Sequence, residues 1–166
     1  MIANAEPVDE NATKRLKESL EDKDGHWWIV GATDGGMRKI TREYGSQGWL
    51  IATPFGTILW KGTGPAPGNP NSSYRTEGYG TLGLLTFLYH FLTYWQIEVT
   101  SENERPITTY TDSLSMISKT TTTKTYGDNW YASMFSQPHA DVLMQIRQSE
   151  QDIYPLQLQP KHVKAH

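Results

Sequence analysis

The sequence predicts an α/β domain with a mixed sheet of five strands flanked by helices. Two observations support this fold class. Three short β-type runs follow one another closely between residues 27 and 62, and from residue 73 onward helical and strand patterns alternate. Closely spaced strands pair antiparallel, whereas strands joined through a helix pair in parallel. We therefore expect the first three strands to be antiparallel and the later strands to be parallel.

The composition fits one domain and excludes several kinds of site. The chain has 166 residues and no run of 18 apolar residues, so no membrane-spanning segment is expected. It has no Cys, which excludes disulfides, thiolate metal ligands and Cys nucleophiles and is compatible with a reducing compartment. The N-terminus is polar and acidic, so we expect neither a signal peptide nor a transit peptide there. We therefore expect an intracellular protein, cytoplasmic or nuclear, that is not secreted.

The charge is unevenly distributed. Residues 1–24 hold seven acidic and four basic residues, which accounts for the whole net charge of −3 and leaves the remainder formally neutral. A neutral domain can still present a basic face, so a nucleic-acid partner is not excluded. We interpret residues 1–25 as a charged leader or tether, at most a peripheral helix whose large apolar residues are Leu16 and Leu20. Residues 26–166 form the expected domain.

Each of the first three strands is predicted from a run that ends in a turn signal. The run 27–33 is continuously apolar apart from small residues and stops at Asp34-Gly35-Gly36, which is typical of a strand buried on both faces. The runs 48–53 and 57–62 are separated by a short Pro-Phe-Gly segment, which favours a hairpin. Residues 62–73 contain three Pro and three Gly and are expected to be loop.

A long helix is predicted from about residue 74 to 94, with Ser72 or Ser73 as its cap. Leucines recur along it at helical spacing. Gly78, Gly80 and Gly83 weaken it by about 1 kcal/mol each relative to Ala, which indicates that another backbone packs closely there. The elements expected after it are a strand at 106–111, a short helix at 114–119, a helix at 141–153 and a last strand from 155 towards 163.

Three acidic residues stand out by position. Asp34 ends the first strand, Asp112 ends the fourth, and Glu77 lies in the first turn of the long helix. Ligands gather outside the carboxyl ends of parallel strands, so the two Asp residues should share an edge if their strands are neighbours. A helix that crosses the sheet could bring Glu77 beside them. Clustered carboxylates repel one another unless they are protonated or bound to cations, and oxygen ligands suit Mg²⁺ or Mn²⁺.

Each acid also has a structural explanation. Asp34 with its two glycines could be a turn, Glu77 could be favoured by the helix macrodipole, and Asp112 could cap the helix that follows. The hypothesis of a metal site therefore depends on all three residues together, in this order of elements.

Five segments in this order resemble the ribonuclease H domain, especially the form carried by retroelements beside a reverse transcriptase. They span residues 27–166 and are Ala32-Thr33-Asp34-Gly35-Gly36, Gly48-Trp49, Asn71-Ser72-Ser73-Tyr74-Arg75-Thr76-Glu77, Tyr110-Thr111-Asp112-Ser113 and His162-Val163-Lys164-Ala165-His166. The fold of that family is a five-stranded mixed sheet flanked by helices, which agrees with the predicted element order.

The resemblance implies an endonuclease that uses two Mg²⁺ (or Mn²⁺) ions to cut the RNA strand of RNA–DNA hybrids, with a reverse transcriptase domain as a possible neighbour. Asp34, Glu77 and Asp112 match the family's first three metal-binding carboxylates. His166 matches the start of the mobile loop whose His assists product release, and it is also a candidate catalytic residue.

The sequence also departs from the family pattern. The family's fourth carboxylate follows the segment matched by residues 162–166, so we expect this domain to lack its C-terminal helix and to cut poorly. Asp141 is an alternative fourth ligand, although it opens the preceding helix. The alternative function is a catalytically incomplete domain that binds nucleic acid or acts as a scaffold. A hydrolase that uses paired carboxylates without metal would leave Asp112 unexplained.

The remaining candidate sites are weaker. Gly62–Gly68 is Gly-rich but lacks the Gly-Lys-Ser/Thr ending of a phosphate loop. His139 and Asp141 are two residues apart at a helix start, where side chains diverge. The threonine-rich stretch 119–125 is interpreted as a solvated loop. Four tryptophans are expected in the core or on a sheet face, namely Trp27, Trp28, Trp49 and Trp60.

Overall fold

The computed structural model describes residues 4–21, 28–37, 44–68, 71–99, 106–118 and 139–164. The elements in these ranges follow in chain order. They are β1 (Glu6–Pro7), α1 (Ala12–Glu21), β2 (Val30–Met37), β3 (Gly45–Ala52), β4 (Ile58–Pro65), α2 (Ser73–Tyr94), β5 (Pro106–Thr111), α3 (114–118), α4 (Ala140–Asp152) and β6 (Gln157–His162).

The strands form one mixed sheet in the order β1-β4-β3-β2-β5-β6. The pairs β2–β3 and β3–β4 are antiparallel, while β5 pairs in parallel with both β2 and β6. This confirms the predicted α/β class and the division into antiparallel and parallel halves. The sheet has six strands rather than five because Glu6 and Pro7 pair with Lys61 and Trp60 at its edge. A two-residue strand has no alternation that a sequence pattern could show.

The helix α2 lies across the sheet and α4 packs against it. Aromatic rings hold α2 to the sheet, with ring centroids 4.8 Å apart for both Trp49–Phe87 and Trp60–Phe87. Trp49 is buried and Trp60 is half-buried, as expected for core and sheet-face positions, while Trp27 lies outside the described residues. In the described ranges, no helix has the length and apolar character needed to cross a membrane.

The glycines of α2 do permit close packing, as expected, but their neighbours differ. A methyl group at Gly80 would lie 3.1 Å from the carbonyl oxygen of Asp34 and 3.3 Å from that of Gly48, so another backbone does approach there. At Gly78 and Gly83 the close atoms instead belong to side chains, Val142 and Trp49 among them.

Two strands extend further at their C-terminal ends than the sequence indicates. The strand β2 continues through Gly35 and Gly36 to Met37 because β3 pairs with it along its whole length, so Asp34-Gly35-Gly36 is not a turn. The strand β4 continues to Pro65, which pairs with Ser46, although this stretch was expected to be loop. In both cases backbone pairing with β3 overrides the local turn signals.

The described part of the expected leader packs against the domain. In α1 the side chains of Ala12 and Leu16 are fully buried, and the Lys17 ammonium lies 5.4 Å from the ring centroid of Trp95. Of the two interpretations of this segment, the packing favours a peripheral helix over a tether. The i,i+4 pair Leu16 and Leu20 is sufficient to anchor the helix because α1 packs against β4.

Candidate metal centre

Asp34 and Asp112 reach the same sheet edge because β2 and β5 are parallel neighbours. Ala32 is paired with Tyr110, and each Asp lies two residues further along its strand direction. Both carboxylates are exposed. The predicted shared edge is therefore present. The capping explanation of Asp112 is wrong, because the Oγ of Ser113 is the cap that accepts a hydrogen bond from the Met116 N–H at 3.3 Å.

Glu77 is brought to this edge by α2. The helix begins at Ser73 after Ser72, whose Oγ accepts a hydrogen bond from the Arg75 N–H at 3.0 Å. Glu77 is the fifth residue of the helix, so it begins the second turn and does not lie in the first. Its side chain is 5% exposed and points at the two Asp residues.

Gly35 is what allows the helix to come this close. A methyl group at this position would lie 2.4 Å from the carbonyl carbon of Thr76, which no real contact permits. With no side chain in the way, the Gly35 N–H donates to Asp34 Oδ1 at 2.9 Å and to Glu77 Oε1 at 3.1 Å. One backbone donor therefore orients two of the three acids. The sequence marked this glycine only as a turn signal.

The three carboxylates form a compact group. One oxygen from each of Asp34, Glu77 and Asp112 lies within 4.8 Å of the others. Burial raises the pKa of Glu77 to about 8, with further contributions from the negative charges of Asp112 and Asp34, and the Gly35 N–H opposes them. The group is therefore electrostatically strained when all three acids are ionised.

The group fits a divalent cation. Oε2 of Glu77 is buried and has no hydrogen-bond partner among the described residues. A buried acceptor without a partner costs free energy, and a cation would supply the missing interaction. The atoms that the three residues offer as metal ligands are carboxylate oxygens, which Mg²⁺ and Mn²⁺ prefer.

Asp141, the alternative ligand, lies outside this group and has another partner. Both of its oxygens accept hydrogen bonds from Arg75, at 2.9 Å each. The hydrogen bonds from Arg75 hold the pKa of Asp141 below its usual range. The same guanidinium donates to the carbonyl of Pro67 at 2.6 Å and to the hydroxyl of Tyr79 at 3.2 Å. Asp141 therefore ties α4 to α2 in place of binding a metal with the cluster.

His139 and Asp141 take different partners, although both contact the start of α2. The Nε2 of His139 lies 3.0 Å from the Oγ of Ser72, so the ring contacts the cap of α2. Burial, together with the nearby charge of Arg75, lowers the pKa of His139. Sequence reasoning missed the roles of His139 and Arg75. The only sequence signal for either role was that Arg75 lies two residues before Glu77. His166 and the stretch 119–125 lie outside the described residues.

Comparisons with known proteins give the fold. No family model matches the sequence, and no curated protein matches it. Among solved structures, LC11-RNase H1 from compost, in complex with an RNA/DNA hybrid, has a TM-score of 0.61 at 14% identity, with 82% of this chain and 85% of that chain covered. RNase H1 of the archaeon Halobacterium salinarum has a TM-score of 0.55 at 14% identity over 82% and 85% of the two chains.

Retroviral structures are also similar. The foamy viral protease-reverse transcriptase in complex with dsDNA has a TM-score of 0.57 at 14% identity, with 89% of this chain and 86% of that chain covered. The structural neighbours of this chain are thus RNase H domains of cellular and retroviral type. The chain has the ribonuclease H-like fold.

Proposed function

We propose that the protein is a metal-dependent endonuclease of ribonuclease H type that hydrolyses the RNA strand of RNA–DNA hybrids. The main support is the convergence of Asp34, Glu77 and Asp112 within 4.8 Å at the edge of a ribonuclease H-like sheet. A structural neighbour with this fold is a complex with an RNA/DNA hybrid. The neighbours fused to viral reverse transcriptase favour a retroelement origin and a reverse transcriptase partner. We also propose that the protein resides inside the cell.

The geometry supports a separate role for each residue of the metal centre. Asp34, Glu77 and Asp112 would hold the cations, and Gly35 keeps two of these carboxylates aimed at one point. Two bound Mg²⁺ or Mn²⁺ ions would supply an activated water and stabilisation of the leaving 3′ oxygen. Because Asp34 and Asp112 are exposed while Glu77 is buried, a phosphodiester would approach from the side of the two Asp residues. His166, which resembles a product-release residue, remains a proposal.

A second candidate is a domain that binds hybrids without cutting them. The cluster found among the described residues has three acids, and the nearest alternative, Asp141, is engaged by Arg75. Three carboxylates can hold one Mg²⁺ well, since this ion keeps several waters. An incompletely held second ion would leave the departing oxygen under-stabilised.

The decisive experiment measures cleavage of an end-labelled RNA–DNA hybrid with Mg²⁺, and binding of the same hybrid in EDTA. We expect Asp34→Asn to abolish cleavage while hybrid binding persists. In EDTA its Tm should equal or exceed that of the parent protein, because one repelling charge is removed. The control is Glu10→Gln, which removes one exposed acid distant in sequence from the cluster.

Each result selects one function. Metal-dependent cleavage that Asp34→Asn abolishes supports the nuclease. Tight hybrid binding with no cleavage by the parent protein supports the second candidate. Cleavage that persists in EDTA, or equal cleavage by the parent protein and Asp34→Asn, would contradict the metal site.

A further inference from the structure

A groove of about 400 Å³ opens between two helices and the sheet. It lies between α2, α4 and the strands β3 and β4, and its lining includes Tyr79, two residues after Glu77 on the same helix. This volume is within the range of ~300–1,000 Å³ typical of small-molecule sites. No acidic residue of the metal centre lines it, so the groove is a separate feature of the described structure.

The floor of the groove is a side-chain amide held between two glycines. A methyl group at Gly64 would lie 2.6 Å from Gln47 Nε2, and one at Gly83 would lie 3.1 Å from Gln47 Oε1. The two glycines therefore leave room for the amide, which a side chain at either position would push aside. The Oε1 of Gln47 is buried without a hydrogen-bond partner among the described residues. Since buried polar atoms are nearly always paired, this one calls for an explanation.

The walls of the groove contain further side-chain amides and flat side chains. Gln145 and Gln148 of α4 both line the groove. The Nε2 of Gln148 donates to Asp152 Oδ1 at 3.1 Å, which leaves its amide oxygen available as an acceptor. The lining also includes Pro65, Pro67 and Tyr79, and the Arg75 guanidinium lies 5.4 Å from the centroid of the Tyr79 ring.

The lining selects a class of ligand. Among the described residues that line the groove there is no Asp, Glu, Lys, Arg or His. Arg75 donates hydrogen bonds to the lining residues Pro67 and Tyr79. Its charge, however, is already paired with Asp141, which disfavours a phosphate or carboxylate ligand. Planar amides that pair donors with acceptors match the edge of a nucleobase, and Gln reads the N6 and N7 atoms of adenine in particular. Aromatic rings provide stacking surfaces for unpaired bases.

We infer that the groove binds an unpaired nucleobase, with adenine favoured. The inference rests on the proposed function only in that this function brings a nucleic acid to the protein, since no residue of the metal centre lines the groove. The groove thus acts as a specificity site for unpaired nucleotides.

The test is an NMR titration of the ¹⁵N-labelled full chain with adenosine in EDTA. We expect saturable shifts at the backbone amides of Gly64 and Gly83, and none with inorganic phosphate at the same concentration. Because no metal and no cleavage are involved, this readout is independent of the nuclease proposal. Absent catalysis with intact adenosine binding would overturn only the proposed function, whereas the reverse would overturn only the groove.

Matched variants locate the binding. Gln145→Ala removes one groove amide and should weaken adenosine binding about 3- to 10-fold, the effect of one lost hydrogen bond. Gln151→Ala, an exposed residue of the same helix outside the groove, should leave binding unchanged. Ser149→Leu should fill the groove and abolish the shifts. Equal effects of Gln145→Ala and Gln151→Ala, or no shifts at Gly64 and Gly83, would overturn the inference.

Discussion

The backbone N–H of Gly35 donates a hydrogen bond to Glu77 Oε1 at 3.1 Å and thereby joins β2 to α2. This contact holds a buried acid against two exposed ones. It opposes the rise in the pKa of Glu77 but does not cancel it, and the pKa is still raised to about 8. Ionised Glu77 therefore lowers the free energy of unfolding, and a bound cation would offset this loss.

The first prediction concerns the pH dependence of stability without metal. The pKa of Glu77 rises from an ordinary value of 4.5 to about 8 on folding, so the protonated form is favoured in the folded state. Between these two values the unfolded chain releases its proton while the folded chain retains it, so stability falls as pH rises. Below this window Glu77 imposes no penalty, and above it the penalty is constant.

We expect Glu77→Gln to remove this fall. The measurement is Tm in EDTA at intervals from pH 5 to pH 8 for both proteins, with the difference between them widening in favour of Glu77→Gln as pH rises. Saturating Mg²⁺ should reduce the difference, because the cation stabilises the ionised parent site. A constant difference across this range would show that another group titrates.

The second prediction concerns the close approach of strand and helix. In Gly35→Ala the new methyl group meets the backbone of Thr76, which cannot move aside as a flexible side chain could. We expect a loss of about 1–3 kcal/mol or more in the free energy of unfolding, and weaker divalent-metal binding. Urea denaturation and Mn²⁺ titration measure the two effects.

Gly36→Ala is the matched control for this experiment. A methyl group there would find Ser46 Oγ at 3.9 Å, an ordinary contact, so the change should stay within about 0.5 kcal/mol. Similar losses in both variants would mean that strand flexibility, rather than contact with Thr76, explains the glycine at position 35.

The third prediction separates Asp141 from the metal centre. Asp141→Ala breaks the paired hydrogen bonds from Arg75, whose side chain is only 14% exposed, and should cost about 1 kcal/mol. Because the pKa of Asp141 is lowered in the fold, this stability is present at neutral pH and disappears as pH falls through that pKa. Metal affinity should not change.

Calorimetric Mn²⁺ binding and urea denaturation test this prediction, with Asp152→Ala as a control exposed on the same helix. A large loss of Mn²⁺ affinity in Asp141→Ala, with stability retained, would restore Asp141 as a ligand.

The fourth prediction asks whether α1 belongs to the domain. Leu16 is fully buried, so Leu16→Ala should lower the free energy of unfolding by about 2–5 kcal/mol in a single transition. Lys14→Ala, whose exposed ion pair with Glu18 spans 3.9 Å, should change it by less than about 0.5 kcal/mol. If Leu16→Ala were as neutral as Lys14→Ala, the N-terminal segment would be a tether after all.

The sequence by itself predicted five of the six strands of the described sheet, the long helix and the three candidate acids. Apolar runs and helical spacing are local properties, so the strand 106–111 and the end of α2 at Tyr94 agree with their predicted bounds. The helical connection predicts that β5 runs parallel to β2. That the two strands are neighbours, which brings Asp34 and Asp112 together, is known only from the folded sheet.

Only the tertiary structure decided how close the elements come and which partner each side chain takes. Gly35 and Pro65 lie in local turn signals, but both residues pair with β3 in the sheet. The narrow apolar face of α1 is buried because it packs against β4. Asp141 binds Arg75 because two helix starts meet in space, 66 residues apart in the chain. The reason is physical: pairing, burial and charge depend on distances between segments that local sequence does not encode.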